Sequence, residues 1–433
     1  MNKTILRLAI PNILSNLSIP LLGMVDTALM GHMDSPLFLG AVGIGGTIFN
    51  FLYWGLGFLR MGTTGLAAHA FGEGDKKKQN LILTHALMVA VFAALVFIIF
   101  QSAIGRFAFS FFPEQGNLLH YAELYFFVRI WAAPATISLY AFNGWFLGLQ
   151  NARYPLIISV LGNLANIGFS VWFVIGMEWG IEGVAWATVL SQYISLLIAL
   201  GLFFLSYAKE FQWPSFQELW DLESLKRFFS VNGDIFIRTL CLIFVFAVFT
   251  VESASFGAII LASNQVLRQF LDLMAYGVDG FAFAAESLVG RFMGEKQQEK
   301  LKSSLKGLFQ WGIGLGLIFS LIYLVAGEYM ISFFTDQPEV ISTALTYLPW
   351  QFVIPLLASL AFMLDGVFLG ATASAPMRNM MLISTFVFFL PALYFGKEVF
   401  GNHALWLSMT LFMLARAVSL WINLPRYIKV EEN

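Results

Sequence analysis

The chain has 433 residues, 59% of them hydrophobic and 12% charged, with a mean hydropathy of +0.77 and a formal net charge of −2. That composition excludes a soluble globular domain. The single cysteine, Cys241, excludes an intramolecular disulfide.

Twelve apolar stretches each supply the roughly 20 residues needed to cross a bilayer as a helix. They fall at 7–31, 38–70, 80–104, 120–149, 154–176, 182–206, 228–251, 256–290, 304–326, 341–370, 377–396 and 402–424. They are too long and uniform for the short alternating strands of an outer-membrane barrel. The first lacks a small-residue cleavage site and carries Pro11, Pro20 and Asp26, so it reads as a retained helix and not as a signal peptide. Seventeen of the 24 Lys and Arg residues precede span 1, fall in every second gap after it or stand in the first three residues of the span that follows, from Lys3 and Arg7 to Arg426 and Lys429. Positive charge stays on the cytoplasmic side during insertion. Both termini are therefore expected in the cytoplasm, in a bacterial inner (plasma) membrane.

An internal repeat divides the spans. Asn143-Gly-Trp-Phe-Leu-Gly148 matches Asp365-Gly-Val-Phe-Leu-Gly370, and Phe71-Gly-Glu73 matches Met293-Gly-Glu295, both at an offset of 222 residues. Arg7 and Asn12 align more weakly with Arg227 and Asn232. Six spans per half make the repeats parallel. The expected fold is an all-α polytopic membrane protein of twelve transmembrane helices, in two six-helix bundles related by a pseudo-two-fold around a central cavity. The bundles are read at 1–206 and 228–433, joined by a cytoplasmic linker at 207–227 whose Trp213 and Pro214 suggest an interfacial, partly helical loop. Such halves favour transport by alternating access over catalysis.

A charge at mid-bilayer costs about 2.5–3.5 kcal/mol on insertion scales, so it persists only when paired or facing a water-filled cavity. Asp26 stands alone in span 1 near Pro20, which favours a bend. A carboxyl group on a bendable helix couples protonation to shape, and Asp26 is the candidate cation-coupling residue. In the same half, Tyr140 and Asn143 in span 4, Asn163, Asn166 and Ser170 in span 5, and Thr188 in span 6 either join helices or form one hydrated pocket. In span 8, Gln265, Asp272, Asp279 and Glu286 repeat every seven residues on one stripe, and Arg268 is four residues from Asp272. With Arg238 in span 7 and Asp365 in span 10, these make either a structural network, in which Arg268 pairs with Asp272 and Arg238 with Asp272, Asp279 or Asp365, or a second cation site or polar wall of the cavity.

No Gly-x-x-x-x-Gly-Lys-[Ser/Thr] loop and no His-Glu-x-x-His run occur, and the five histidines are scattered. No catalytic site, metal site or cofactor is expected, and the chain does not read as an enzyme. Expected partners are small organic substrates, a coupling ion and the lipid bilayer, with no nucleic acid; a monomer is expected.

The chain resembles the multidrug and toxic compound extrusion (MATE) family over nearly its full length, and within it the DinF-like branch. The resemblance rests on Val25-Asp-Thr-Ala-Leu-Met-Gly31, Phe71-Gly-Glu-Gly74, Gly144-Trp-Phe-Leu-Gly-Leu-Gln-Asn151, Asp234-Ile-Phe-Ile-Arg-Thr239, Tyr276-Gly-Val-Asp-Gly-Phe-Ala282, Ala285-Glu-Ser-Leu-Val-Gly290 and Asp365-Gly-Val-Phe-Leu-Gly-Ala-Thr372. It implies a V-shaped pair of bundles that exports drugs or other organic cations in exchange for protons or sodium ions. It maps the family's span 1 aspartate onto Asp26, a span 4 tyrosine onto Tyr140, a span 5 asparagine onto Asn166 and a span 6 threonine onto Thr188. Related transporters often carry an aspartate where this chain has Ser170. One carboxylate instead of two is a poorer site for a bare sodium ion, which wants several oxygen ligands and charge neutralisation, and this favours proton coupling. The alternative is a flippase of the wider superfamily moving lipid-linked or amphiphilic substrates, whose cavity would carry basic residues for phosphates.

Overall fold

A computed structural model describes residues 1–31, 36–112 and 116–429, and it is helical almost throughout, with no strand among the described residues. The first half contains α1 (Asn2–Gly31), α2 (Pro36–Gly55), α3 (Phe58–Gly72), α4 (Lys76–Ile99), α5 (Gln101–Phe109), α6 (Asn117–Arg129), α7 (Ala133–Gly148), α8 (Arg153–Val171) and α9 (Gly180–Ser206). A one-turn helix, α10 (Phe216–Leu219), lies in the linker. The second half contains α11 (Leu222–Ser255), α12 (Ala258–Gly294), α13 (Gln298–Phe334), α14 (Pro338–Tyr347), α15 (Trp350–Gly370), α16 (Ser374–Ile383), α17 (Leu390–Phe400) and α18 (Asn402–Tyr427).

Among the described residues, ten helical segments are long and apolar enough to cross a membrane. The remaining two expected spans form α1, of 30 residues, and α12, of 37, both long enough to do so. Helix α12 carries Gln265, Arg268, Asp272, Asp279 and Glu286 within its length. Several spans are broken where the sequence forces it. Pro134 has no N–H to donate, and span 4 passes through a 3-10 turn at Ile130–Ala132 between α6 and α7. Spans 5 and 11 contain π-helical turns at Trp172–Gly176 and Ser384–Phe389.

Two compact units emerge, one of Leu14–Phe228 and one of Met1–Ile13 with Phe229–Asn433. The expected N-terminal bundle began at residue 1, whereas residues 1–13 pack with the second half. Small residues there admit the start of α1: Gly280 faces Ile13 and the Ala9 carbonyl, and Gly307 faces Ile5.

Within each unit the repeat recurs as geometry. In the Leu14–Phe228 unit α7 lies on α3, and a Cβ on Gly144 would stand 2.5 Å from the Arg60 carbonyl oxygen. In the other unit α15 lies on α12, and Gly366 meets the Ala282 carbonyl in the same way. One turn later, Gly148 meets Thr64 and Gly370 meets Glu286. Each of the four residues in these two contacts is 222 residues from its counterpart in the other unit. The helix-closing turns repeat too. Left-handed φ occurs at Gly74 (71°) and Lys296 (54°), and at Gln150 (64°) and Thr372 (55°). The Asn151 amide then returns to the Phe146 carbonyl, and the Ala373 amide to the Phe368 carbonyl, each at 2.9 Å.

Candidate functional site

Helix α8 presents Asn163, Asn166 and Ser170 at i, i+3 and i+7, yet they serve different neighbours. The Asn166 amide donates to the Thr188 hydroxyl at 3.3 Å and to Ser191 at 3.2 Å, both on α9. Those hydroxyls donate their own protons along α9, Thr188 to the Val184 carbonyl and Ser191 to the Thr188 carbonyl, so their lone pairs are left to accept. Ser170 donates to the Asn166 side-chain oxygen at 3.5 Å, and both residues are buried. The result is an uncharged amide–hydroxyl hub. Asn163 instead donates to the Ser18 hydroxyl on α1 at 2.8 Å, and Ser18 also pairs with Ser159 at 2.9 Å. Asp26 lies on α1 eight residues beyond Ser18, and its side chain falls outside the described residues. On α7, Tyr140 and Asn143 share a face. The Asn143 side-chain oxygen is buried without a hydrogen-bond partner among the described residues, and no hydrogen bond there joins this face to the Asn166 hub.

In the other unit, Asp365 on α15 is 5% exposed and its Oδ2 accepts from two guanidinium groups. One is Arg238 on α11; the other is Arg416 on α18, at 2.6 Å. Arg416 also lies over the Phe412 and Phe362 rings, 5.2 and 5.5 Å from their centroids. Two cations on one anion leave an excess positive charge, and Asp279 on α12 lies within electrostatic reach of Arg416. One turn before Arg238, Asp234 accepts from Arg378 at 2.5 Å and from Ser374 at 2.7 Å. Helix α11 is thus tied to α15 and α16 by ionic contacts, and to α18 through the shared Asp365 carboxylate.

Of the three acids open to Arg238, the structure selects Asp365 and not Asp272 or Asp279 of span 8. Arg238 pairs with Asp365 in span 10, and Arg268 reaches Asp272 only at 3.9 Å, with both side chains about a third exposed. Glu286 is buried at 1% exposure and Asp279 is half-buried. The set Arg238, Arg268, Asp272, Asp279, Glu286 and Asp365 therefore contains an interhelical clamp and a separate loose pair on one helix. Arg416, the third member of the clamp, was not singled out from the sequence, although an arginine within the last apolar span is itself a signal. Among the described residues no group of three or more His, Cys, Asp or Glu side chains could hold a metal ion.

Comparison with known proteins agrees with this architecture. The MatE family model matches the chain twice, at residues 11–172 and 235–395. The DNA damage-inducible protein F of Escherichia coli (strain K12) is 36% identical over 422 residues, covering 97% of this chain and 91% of that protein. A probable multidrug resistance protein NorM of Thermotoga maritima is 23% identical over 432 residues, covering 94% of this chain and 88% of the relative. The crystal structure of MATE in the bent conformation superposes with a TM-score of 0.88 at 20% identity, covering 98% of this chain and 95% of that one. With the family model matched in both halves and a DinF relative aligned nearly end to end, the chain belongs to the MatE family of membrane transporters.

Proposed function

We propose that the chain is a proton-coupled antiporter that exports organic, often cationic, amphiphilic compounds by alternating access. It does so from the bacterial inner membrane with both termini in the cytoplasm, the two six-helix repeats moving about the 207–227 linker. The observation that carries the coupling assignment is the disposition of charge in the two units. A sodium ion needs several oxygen ligands with compensating negative charge. The hub of Asn166, Ser170, Thr188 and Ser191 offers only neutral groups. In the other unit, the Asp365 carboxylate already holds two guanidinium groups. A proton needs a single titratable group, and Asp26 supplies it. Spans 1 and 5 run in the same direction, so the Ser18–Asn163 contact sets a register in which the backbone at Asp26 is level with that of Ser170. Tyr140, Asn143 and Asn163 complete the proposed polar lining, while Asp279 and Glu286 remain as acids of a second polar region.

The test is uptake of a cationic dye into inverted membrane vesicles, with a pH gradient imposed at negligible sodium and, separately, a sodium gradient at equal pH. Proton coupling requires uptake in the first arm and none in the second. Uptake driven strictly by sodium would reject the assignment and turn attention to Asp279 and Glu286.

A further inference from the structure

Glu252, near the C-terminal end of α11, and Lys397, near that of α17, form an ion pair that no contact described above uses. Helix α11 and span 11 run alongside each other in the same direction. Asp234 meets Arg378, Phe244 stacks on Phe386 with centroids 6.0 Å apart, and Glu252 meets Lys397. Each charge of the last pair stands three residues before the end of a helical segment able to cross a membrane, Phe216–Ser255 and Ser374–Phe400. The pair therefore lies at the depth of lipid headgroups and not of acyl chains.

Between these two helices opens a cavity of about 380 Å³, walled by Val248, Leu390, Leu393 and Tyr394 together with Glu252 and Lys397. That volume is within the range of small-ligand sites. Tyr394 is 70% exposed, and Val251, Phe395 and Val399 beside the cavity are exposed as well, so it opens on an apolar surface. On a membrane-spanning segment such a surface is covered by lipid. The ion pair is loose. Lys397 Nζ lies 3.3 Å from one carboxylate oxygen of Glu252 and 3.4 Å from the other, and both side chains are partly exposed. An ammonium group has three donors and a carboxylate about four acceptor positions, so both retain capacity for a further partner. A base and an acid side by side at the end of an apolar trough complement a ligand that joins an anion, a cation and a hydrocarbon chain.

We propose that this groove is a binding site for a phospholipid with a zwitterionic, primary-amine headgroup. Lys397 receives the phosphate and Glu252 the ammonium, while an acyl chain follows Val248 and Leu390. The primary amine matters because its N–H groups donate to the carboxylate; a trimethylated amine has none, and a glycerol headgroup carries no cation. The purified protein in detergent is titrated with dioleoyl phosphatidylethanolamine, its N-methylated series ending at phosphatidylcholine, and phosphatidylglycerol. Retention of the first bound lipid is read by native mass spectrometry. The wild type is expected to retain the ethanolamine lipid about threefold or more over the choline and glycerol lipids, the size expected for a half-exposed charge contact. Retention should fall stepwise along the methylated series. Glu252→Gln should invert the preference for the ethanolamine over the glycerol lipid, because it leaves Lys397 as a lone cation. Lys397→Gln should weaken retention of all three. Identical lipid ratios in the wild type and both variants would mark the pair as purely structural and overturn the site. Equal retention of ethanolamine and choline lipids by the wild type would overturn it too, as would a wild-type preference for the glycerol lipid. The methylated series uses the wild type alone, so it decides the question if either variant fails to accumulate. Binding is read without transport, and the outcome is independent of the export reading.

Discussion

A Cβ at position 366 would collide with the Ala282 carbonyl oxygen, so α15 lies directly on α12 because Gly366 has no side chain. Gly144 stands in the same relation to Arg60 in the other unit. Gly366→Ala and Gly144→Ala should each destabilise the protein by about 1–3 kcal/mol through overpacking. The measurement is the melting temperature in detergent, together with membrane abundance. Gly314→Ala, which meets nothing within 4 Å, is the control and should be neutral or slightly stabilising. Equal melting temperatures for the three variants would contradict the close approach of these helices.

Removing Asp365 strands two buried guanidinium groups. Asp365→Ala should cost about 3–5 kcal/mol, as expected when a buried ionic pair loses one partner. Replacing the whole clamp with Arg238→Met, Arg416→Met and Asp365→Leu should recover much of that loss, because no uncompensated charge is left. By contrast, a double-mutant cycle on Arg268 and Asp272 should give a coupling of only about 0–1 kcal/mol, since that pair is partly exposed and long. A coupling there as large as that between Arg416 and Asp365 would show that burial is not what separates them.

The two asparagines of α8 should separate by phenotype. Asn163→Ala removes the tie between α8 and Ser18 on α1, and should lower thermal stability by about 1 kcal/mol. Asn166→Ala dismantles the amide–hydroxyl hub and should reduce dye efflux more than it reduces abundance. Efflux normalised to protein level, measured beside melting temperature, distinguishes them; identical profiles would place both residues in one structural role.

Asp26→Asn should abolish proton-driven efflux while membrane insertion stays normal, because the amide keeps the shape and loses the titratable proton. Dye efflux and abundance are read on the same cells. Efflux at the wild-type level from this variant would end the coupling role assigned to Asp26.

Span positions and the 222-residue repeat were legible in the sequence because both depend on local pattern: apolar run length, and recurring glycines such as Gly144 and Gly366. Helical periodicity gives the face on which a charge lies and not the helix that faces it. Asp365 is 127 residues from Arg238 and 51 from Arg416, and only the neighbour relations of α11, α15 and α18 bring the three together. The same limit explains Asn163 and Asn166. They share a face by spacing, but one turns to α1 and the other to α9. The packing of residues 1–13 was equally out of reach, since the residues they meet, Gly280 and Gly307 among them, lie far along the chain.

The left-handed turns at Gln150 and Thr372 have a practical use. Each holds a residue with a Cβ where glycine is the residue of least strain, at a cost on the order of 1–2 kcal/mol. They close α7 and α15 at equivalent places, just beyond the glycine contacts. Glycine at both positions is thus a conservative means of hardening the protein for purification, and because the turns sit in separate units, their benefits should add.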